Sequence, residues 1–237
     1  MATLPLSNTF EGGTDGTLIS VGNSGGLSGD AFSSVTGTLP KFTNVQAVHG
    51  PLAMRVVDAT TNQQVIWSGL GSVTAPVFVR FYAFYAAAPT TQHSWVFRAR
   101  DNADAAAGWL NFGNDGLFHG ADASINIYNG PAYSVNKWIR GEAKFTPGTG
   151  TSGALEYRLF NSPEAISPSG GNTIPSINMG ANISAVQFGP VDLFPTTPFT
   201  VYLDDIAVST ADWIGPSDYR SRSTFTAIPF QGPGRNL

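Results

Sequence analysis

Trp138-Ile139-Arg140-Gly141-Glu142-Ala143-Lys144-Phe145 alternates strictly. Ile139, Gly141, Ala143 and Phe145 fall on one side of an extended chain, with Trp138, Arg140, Glu142 and Lys144 on the other. Ala154 to Phe160 repeats the pattern, Leu155, Tyr157 and Leu159 being opposed by Glu156 and Arg158. Thr146-Pro147-Gly148-Thr149-Gly150-Thr151-Ser152-Gly153 between them is turn chemistry throughout, so the two runs read as a β-hairpin. The predicted register sets Glu142 opposite Arg158 and Lys144 opposite Glu156, because a slip by two would bring like charges together. Ala143, Phe145, Leu155 and Tyr157 then face a core.

Working outward, Val77-Phe78-Val79-Arg80-Phe81-Tyr82-Ala83-Phe84 is bulky and apolar on both faces apart from Arg80. Such a strand belongs in the middle of a sheet, covered on both sides or lining a binding face, with Arg80 paired. Further strands are predicted at Leu52–Val57, Gln64–Ser68, Val77–Ala86, Ser94–Arg100, Gly108–Phe112, Ser124–Tyr128, Ile183–Phe188 and Phe199–Val208, nearly all separated by turn residues. Helical periodicity is almost missing. Asn102–Ala107 is the one Ala-rich stretch, and it reads better as a loop because it lacks length and apolar spacing. The fold class that follows is all-β, a two-sheet antiparallel jelly-roll sandwich with an extended C-terminal arm. Residues 1–212 form the sandwich domain and 213–237 the arm, in which Phe225, Ile228, Pro229 and Phe230 are costly to leave in water and are the predicted assembly contacts.

Composition narrows the function. Only 12% of the 237 residues are charged, yet 42% are hydrophobic with 16 Phe and 5 Trp, so the chain is not disordered. The absence of cysteine excludes disulfides, thiolate nucleophiles and Cys-ligated zinc. A net charge of -4 without a basic run argues against a nucleic-acid partner. The longest near-apolar run is too short to span a bilayer. Met1–Phe10 has neither a basic leader nor an apolar core, so synthesis in the cytoplasm without a secretory signal is the expectation.

Catalytic constellations are sparse. The four Glu (Glu11, Glu142, Glu156, Glu164) show no clustered pair of the kind glycoside hydrolysis uses. Asp204-Asp205 are adjacent on a strand and are expected to diverge, one bonding a loop and the other solvated or on an ion. Gly22-Asn23-Ser24-Gly25-Gly26 matches a nucleophile elbow literally but lacks the following helix. His119 is expected to decorate a β-turn. Asp101-Asn102-x-Asp104 and Asn114-Asp115-Gly116 carry oxygen ligands that calcium accepts, but Asx turns are their commoner use. No metal or cofactor is therefore expected, with calcium the weaker alternative. Aromatic side chains at strand ends and on polar faces, beside Asx residues, suit sugar rings, which makes Trp109, Asn114, Asp115, Tyr128, Tyr133 and Trp138 the candidate carbohydrate site; the competing reading is that these aromatics roof the core.

The order of Phe10-Glu11-Gly12-Gly13, His49-Gly50-Pro51-Leu52-Ala53-Met54-Arg55-Val56, Val77 to Tyr85, Asn111-Phe112-Gly113-Asn114-Asp115-Gly116, Lys137 to Glu142 and Val201 to Val208 resembles the concanavalin A-like (laminin-G-like) jelly-roll family over Leu4 to Ser209. The resemblance implies two antiparallel sheets, one concave, with ligands at its face or rim. The chain departs from the glucanase branch in lacking its clustered carboxylates and from legume lectins in lacking their metal loop. The Met-initiated, Cys-free, Gly/Thr/Ala-rich style, with Asp212-Trp213-Ile214-Gly215-Pro216 after the last strand, is also similar to minor tail and accessory virion proteins of actinobacteriophages. The expectation is thus a non-enzymatic virion structural protein, a homo-oligomer that docks on other virion subunits and binds host surface glycans. The alternative is a free carbohydrate-binding module or lectin, with a polysaccharide-degrading enzyme behind it.

Overall fold

The computed structural model describes residues 2–38, 40–58, 61–90, 93–190 and 199–217. The strands are β1 (Leu6–Asn8), β2 (Ser34–Thr36), β3 (Lys41–Thr43), β4 (Ala53–Asp58), β5 (Gln64–Val73), β6 (Val77–Tyr85), β7 (Ser94–Arg100), β8 (Ala106–Phe112), β9 (Leu117–Asp122), β10 (Ile127–Ala132), β11 (Trp138–Thr146), β12 (Gly153–Phe160), β13 (Gly170–Ile177), β14 (Ile183–Phe188) and β15 (Phe199–Ser209). They form two antiparallel sheets packed as a sandwich. One has eight strands in the order β13-β12-β11-β6-β15-β4-β3 with β1 beside β15, and the other has seven in the order β10-β9-β8-β7-β14-β5-β2.

The hairpin takes the expected register. Glu142 lies opposite Arg158, Lys144 opposite Glu156, Ala143 opposite Tyr157 and Phe145 opposite Leu155. β6 is central, flanked by β11 and β15 and buried along its whole length. Its Val77, Val79, Phe81, Ala83 and Tyr85 point inward to the core shared with Trp67, Phe97, Phe112, Phe118 and Tyr157. Each such large side chain removed from water contributes about 1.5–3 kcal/mol. Gly141 is required here, because the Phe81 ring occupies the space a Cβ would fill.

Five strands were not expected: β1, β2, β3, β9 and β13. The first three are three residues long, β13 carries Pro175 at a sheet edge, and β9 places Gly120 where an inward apolar residue would complete the alternation. The strand expected from Ser124 begins only at Ile127, since the Asp122 carboxylate accepts the backbone N–H of Ser124 and Asn126 and holds a turn. Asn102–Ala107 is not helical: Asp101 Oδ1 accepts from Ala103 and Ala105 N–H, and β8 starts at Ala106.

Asp204 bonds a loop as expected, whereas Asp205 is not solvated. A register shift between Asp204 and Ala207 forms a bulge in β15, with Asp205 at φ 43°. Both side chains are buried and neither is solvated. Asp204 accepts N–H bonds from Val48, His49 and Asp205, while Asp205 Oδ2 binds His49 Nδ1.

After β15 the chain turns back across the outer face of the eight-stranded sheet. Trp213 packs edge-on against Phe78 with the Arg158 guanidinium over its ring, and Ser217 N–H donates to Tyr82 Oη at 2.7 Å. The first residues of the expected arm therefore lie on the sandwich. Phe225, Ile228, Pro229 and Phe230 lie outside the described residues.

Candidate polar-aromatic face

The outer face of the seven-stranded sheet carries two cross-strand rows of side chains. In one, Gln187 of β14 stands opposite Arg98 of β7, Arg98 opposite Trp109 of β8, Trp109 opposite Ala121 of β9 and Ala121 opposite Ile127 of β10. In the other, Trp95 of β7 stands opposite Asn111, Asn111 opposite His119 and His119 opposite Asn129. A bulge between Trp95 and Phe97 lets Trp95 and Arg98 share this face although they are three residues apart. Trp95, Trp109 and Ala121 form an apolar cluster separate from the main core. The two indoles meet edge to face at 5.2 Å, and the Arg98 guanidinium lies 4.5 Å above the Trp109 ring.

Polar capacity on this floor is unspent. Asn111, His119 and Gln187 are each no more than 1% exposed, yet both side-chain polar atoms of Asn111, Nδ1 of His119, Oε1 of Gln187 and the Trp109 indole N–H have no hydrogen-bond partner among the described residues. Buried polar groups are normally satisfied, because an unmade bond costs about 1–3 kcal/mol. The rim at Asn114, Asp115, Ile127 and Asn129 is exposed.

His119 is fixed from the β8–β9 turn. Its Nε2 lies 3.0 Å from Asp115 Oδ1, which also accepts the Leu117 N–H, and a Cβ on Gly113 would intrude between the two side chains. Burial disfavours the Asp115 carboxylate, but the Leu117 N–H and the His119 ring outweigh it and lower its pKa. Burial first, then repulsion by Arg98, lowers the Arg100 pKa even though Arg100 pairs with the exposed Asp104. Burial and the neighbouring His119 likewise lower that of His93, whose ring meets His119 edge-on at 4.9 Å.

The opposite outer face, on the eight-stranded sheet, uses its charges internally. Arg140 pairs with Glu142 at 2.8 Å and donates to the carbonyls of Pro163 and Ala165, and Arg158 pairs with Glu156 at 2.7 Å. At one end His49 bridges Asp205 and Glu164. Burial tends to lower the His49 pKa, but these two carboxylates raise it overall. Burial pushes Glu11 up to about 7 and drives Asp204 well above its usual range, Asp205 adding to both.

Of the six residues predicted for a carbohydrate site, Trp109 and, through His119, Asp115 belong to the polar-aromatic face, and Asn114 lies in the adjoining turn. Tyr128 donates to Asp122 Oδ2 and leans on the main core. Tyr133 roofs the core, its hydroxyl donating to Gly113 O and its pKa raised by burial and by Asp115. Trp138 stands on the other sheet, against Phe84. His119 is not a turn decoration but a strand residue of the floor. Trp95, Asn111, Arg98 and Gln187 were missed; the tight Asn114-Asp115-Gly116 turn already implied that Asn111 and His119 are neighbours. Neither loop considered for calcium gathers ligands: Asp101 and Asp115 are spent on their own turns. Among the described residues no three His, Asp or Glu side chains are grouped to hold a metal ion.

No protein-family model matches the sequence, and no curated protein matches it. Solved structures do share the fold. Cellulose induced protein Cip1 superposes with a TM-score of 0.58 at 16% identity, over 90% of this chain and 100% of the other. An endo-β-1,4-glucuronan lyase from Trichoderma reesei gives 0.57 at 11% identity over 86% and 94%, and alginate lyase Aly36B gives 0.55 at 10% over 90% and 99%. These likenesses carry no link to virions. They do correct the expectation of a non-enzymatic chain, because two of the three similar structures are polysaccharide lyases, and this sandwich is one on which enzymes are built.

Proposed function

We propose that this protein binds an acidic polysaccharide along the outer face of the seven-stranded sheet. The observation that carries the reading is the buried polar floor beside two indoles: Asn111 and the Trp109 N–H keep unmade hydrogen bonds, and the Arg98 guanidinium over Trp109 brings positive charge. A site for neutral sugars would present carboxylates to accept hydroxyl protons. Here the carboxylate nearest the floor, Asp115, is held by His119 and Leu117. Glucuronan and alginate, named for the lyases of similar fold, carry a carboxylate on every sugar.

Tryptophan fluorescence decides it. Titration with glucuronate or alginate oligosaccharides is expected to shift the emission, while neutral glucan oligosaccharides of the same length do not. An equal response to both, or to neither, overturns the proposal.

A second reading, β-elimination, is favoured by the His119–Asp115 pair. In the tautomer that donates Nε2–H to Asp115, Nδ1 carries a lone pair on the strand next to Asn111. Such a base would take the proton α to a sugar carboxylate held by the amide and guanidinium donors, expelling the glycosidic oxygen at the β-carbon. Polyuronate incubated with the protein is expected to gain the ultraviolet absorbance of an unsaturated sugar, and His119→Asn to abolish the gain. Binding without that absorbance confines the protein to recognition.

A further inference from the structure

On the opposite side of the sandwich, between β1, the end of β15 and the segment that follows it, lies a cavity of about 510 Å³. Pro5, Ala207, Trp213, Ile214 and Pro216 give it apolar walls, and Arg80 reaches it from the middle of β6. The Arg80 side chain is only 7% exposed. Its Nε donates to Asp205 O at 3.1 Å and its Nη1 to Gly215 O at 3.2 Å, both neutral carbonyls. Nη2 donates to nothing among the described residues.

The guanidinium has no counter-ion in direct contact among the described residues, and Glu142 acts on it only from a distance. No ion pair of Arg80 is formed among the described residues. Glu142, its cross-strand neighbour, is taken by Arg140. The carboxylate of Asp212, on the cavity rim, accepts the Trp213 N–H. Asp205 turns its Oδ2 to His49. A buried charge without a partner is costly, and a neighbouring cavity is where a partner can enter.

We propose that this cavity is a binding site for a carboxylate on an apolar body, its two oxygens on the Arg80 fork and its hydrocarbon against Pro5, Ile214 and Pro216. The fork of a guanidinium matches a carboxylate in geometry as well as charge. The volume lies within the roughly 300–1,000 Å³ usual for small-molecule sites. A bare inorganic anion would leave the apolar walls unused. The site stands on a different sheet from the polar-aromatic face and does not depend on the glycan reading.

The test uses the full chain and calorimetric titration with paired ligands: acetate, butyrate, phenylbutyrate and a short peptide ending in leucine, each against its amide. Affinity is expected to rise with apolar length, and each longer acid to bind about tenfold or more tightly than its amide, the effect of one charge-assisted contact. The stronger of phenylbutyrate and the peptide distinguishes a small acid from a chain terminus as the source. Arg80→Met is expected to abolish the preference for acid over amide. Should that variant fail to fold, Ile214→Glu, which sets a like charge on the half-buried wall, is expected to abolish acid binding at an unchanged melting temperature. Acids and amides of equal affinity in the unmutated chain, no binding by any acid, a preference for acid over amide kept by folded Arg80→Met, or acid binding kept by folded Ile214→Glu overturns the site.

Discussion

The two outer faces of this sandwich differ in how their charged and polar side chains are held: ion pairs dominate one, and unpaired amide, imidazole and indole groups the other, although each face keeps some unsatisfied buried polar atoms. On the eight-stranded sheet Arg140, Glu142, Glu156 and Arg158 pair along their own strands, and the carbonyls of Pro163 and Ala165 close over Arg140. On the seven-stranded sheet Asn111, His119, Gln187 and Trp109 keep polar atoms that bond nothing among the described residues. The first arrangement contributes stability to the fold. The second costs stability, and such a cost persists where binding needs preformed donors.

That contrast breaks most readily at Arg140. Arg140→Ala strands Glu142, 2% exposed, as a buried charge, and should lower unfolding stability by about 3–5 kcal/mol in denaturant titration. A loss under 1 kcal/mol would mean that this network is not structural. Gly113→Ala should cost about 1–3 kcal/mol, because the added methyl pushes the Asp115 and His119 side chains apart. Denaturant titration reads this cost, and a loss under about 0.5 kcal/mol would mean that the two side chains give way without strain.

The charged face also sets the pH dependence. Glu11, His49 and Asp204 all have folded pKa values raised above their usual ones, so the folded state holds protons that the unfolded chain releases. Stability is then present at low pH and lost as pH rises through the raised values, for Glu11 between 4.5 and about 7. Allowing for the solvent that reaches this half-buried carboxylate, the loss is about 1–2 kcal/mol, or about 5 °C of melting temperature between pH 4.5 and pH 7.5. A melting temperature that rises over that interval contradicts the assignment. The smallest effect on stability belongs to the other face: Asn111→Leu should change it by less than about 0.5 kcal/mol or increase it, since an unspent buried amide is removed. The same substitution should weaken acidic-glycan binding about tenfold, and unweakened binding would leave Asn111 without a role in the site.

Sequence legibility followed the local pattern. The β11–β12 register could be read because alternation and charge order both lie within a span joined by one turn. Even there the ion pairs form within each strand, Arg140 with Glu142 and Glu156 with Arg158, and not across the ladder. β9 was illegible because Gly120 interrupts its inward face, and β13 because Pro175 reads as a stop. The binding face was harder still. Trp109 was visible as an aromatic on a polar face, but Gln187 reaches Arg98 only because β14 inserts between β5 and β7, a neighbourhood that no spacing in the chain announces.

That insertion has a kinetic consequence. β14 separates β5 from β7, and β15 separates β4 from β6, so each sheet stays in two halves until its late strand arrives. Closing such long loops before any ladder rewards them is slow, and the unpaired edges of β5, β6 and β7 are exposed in the meantime. A ribosome-bound fragment ending before residue 183 would hold most of the aromatic floor yet lack the strand that joins its two sides. Refolding is therefore expected to gain core burial and ligand binding in the same late step.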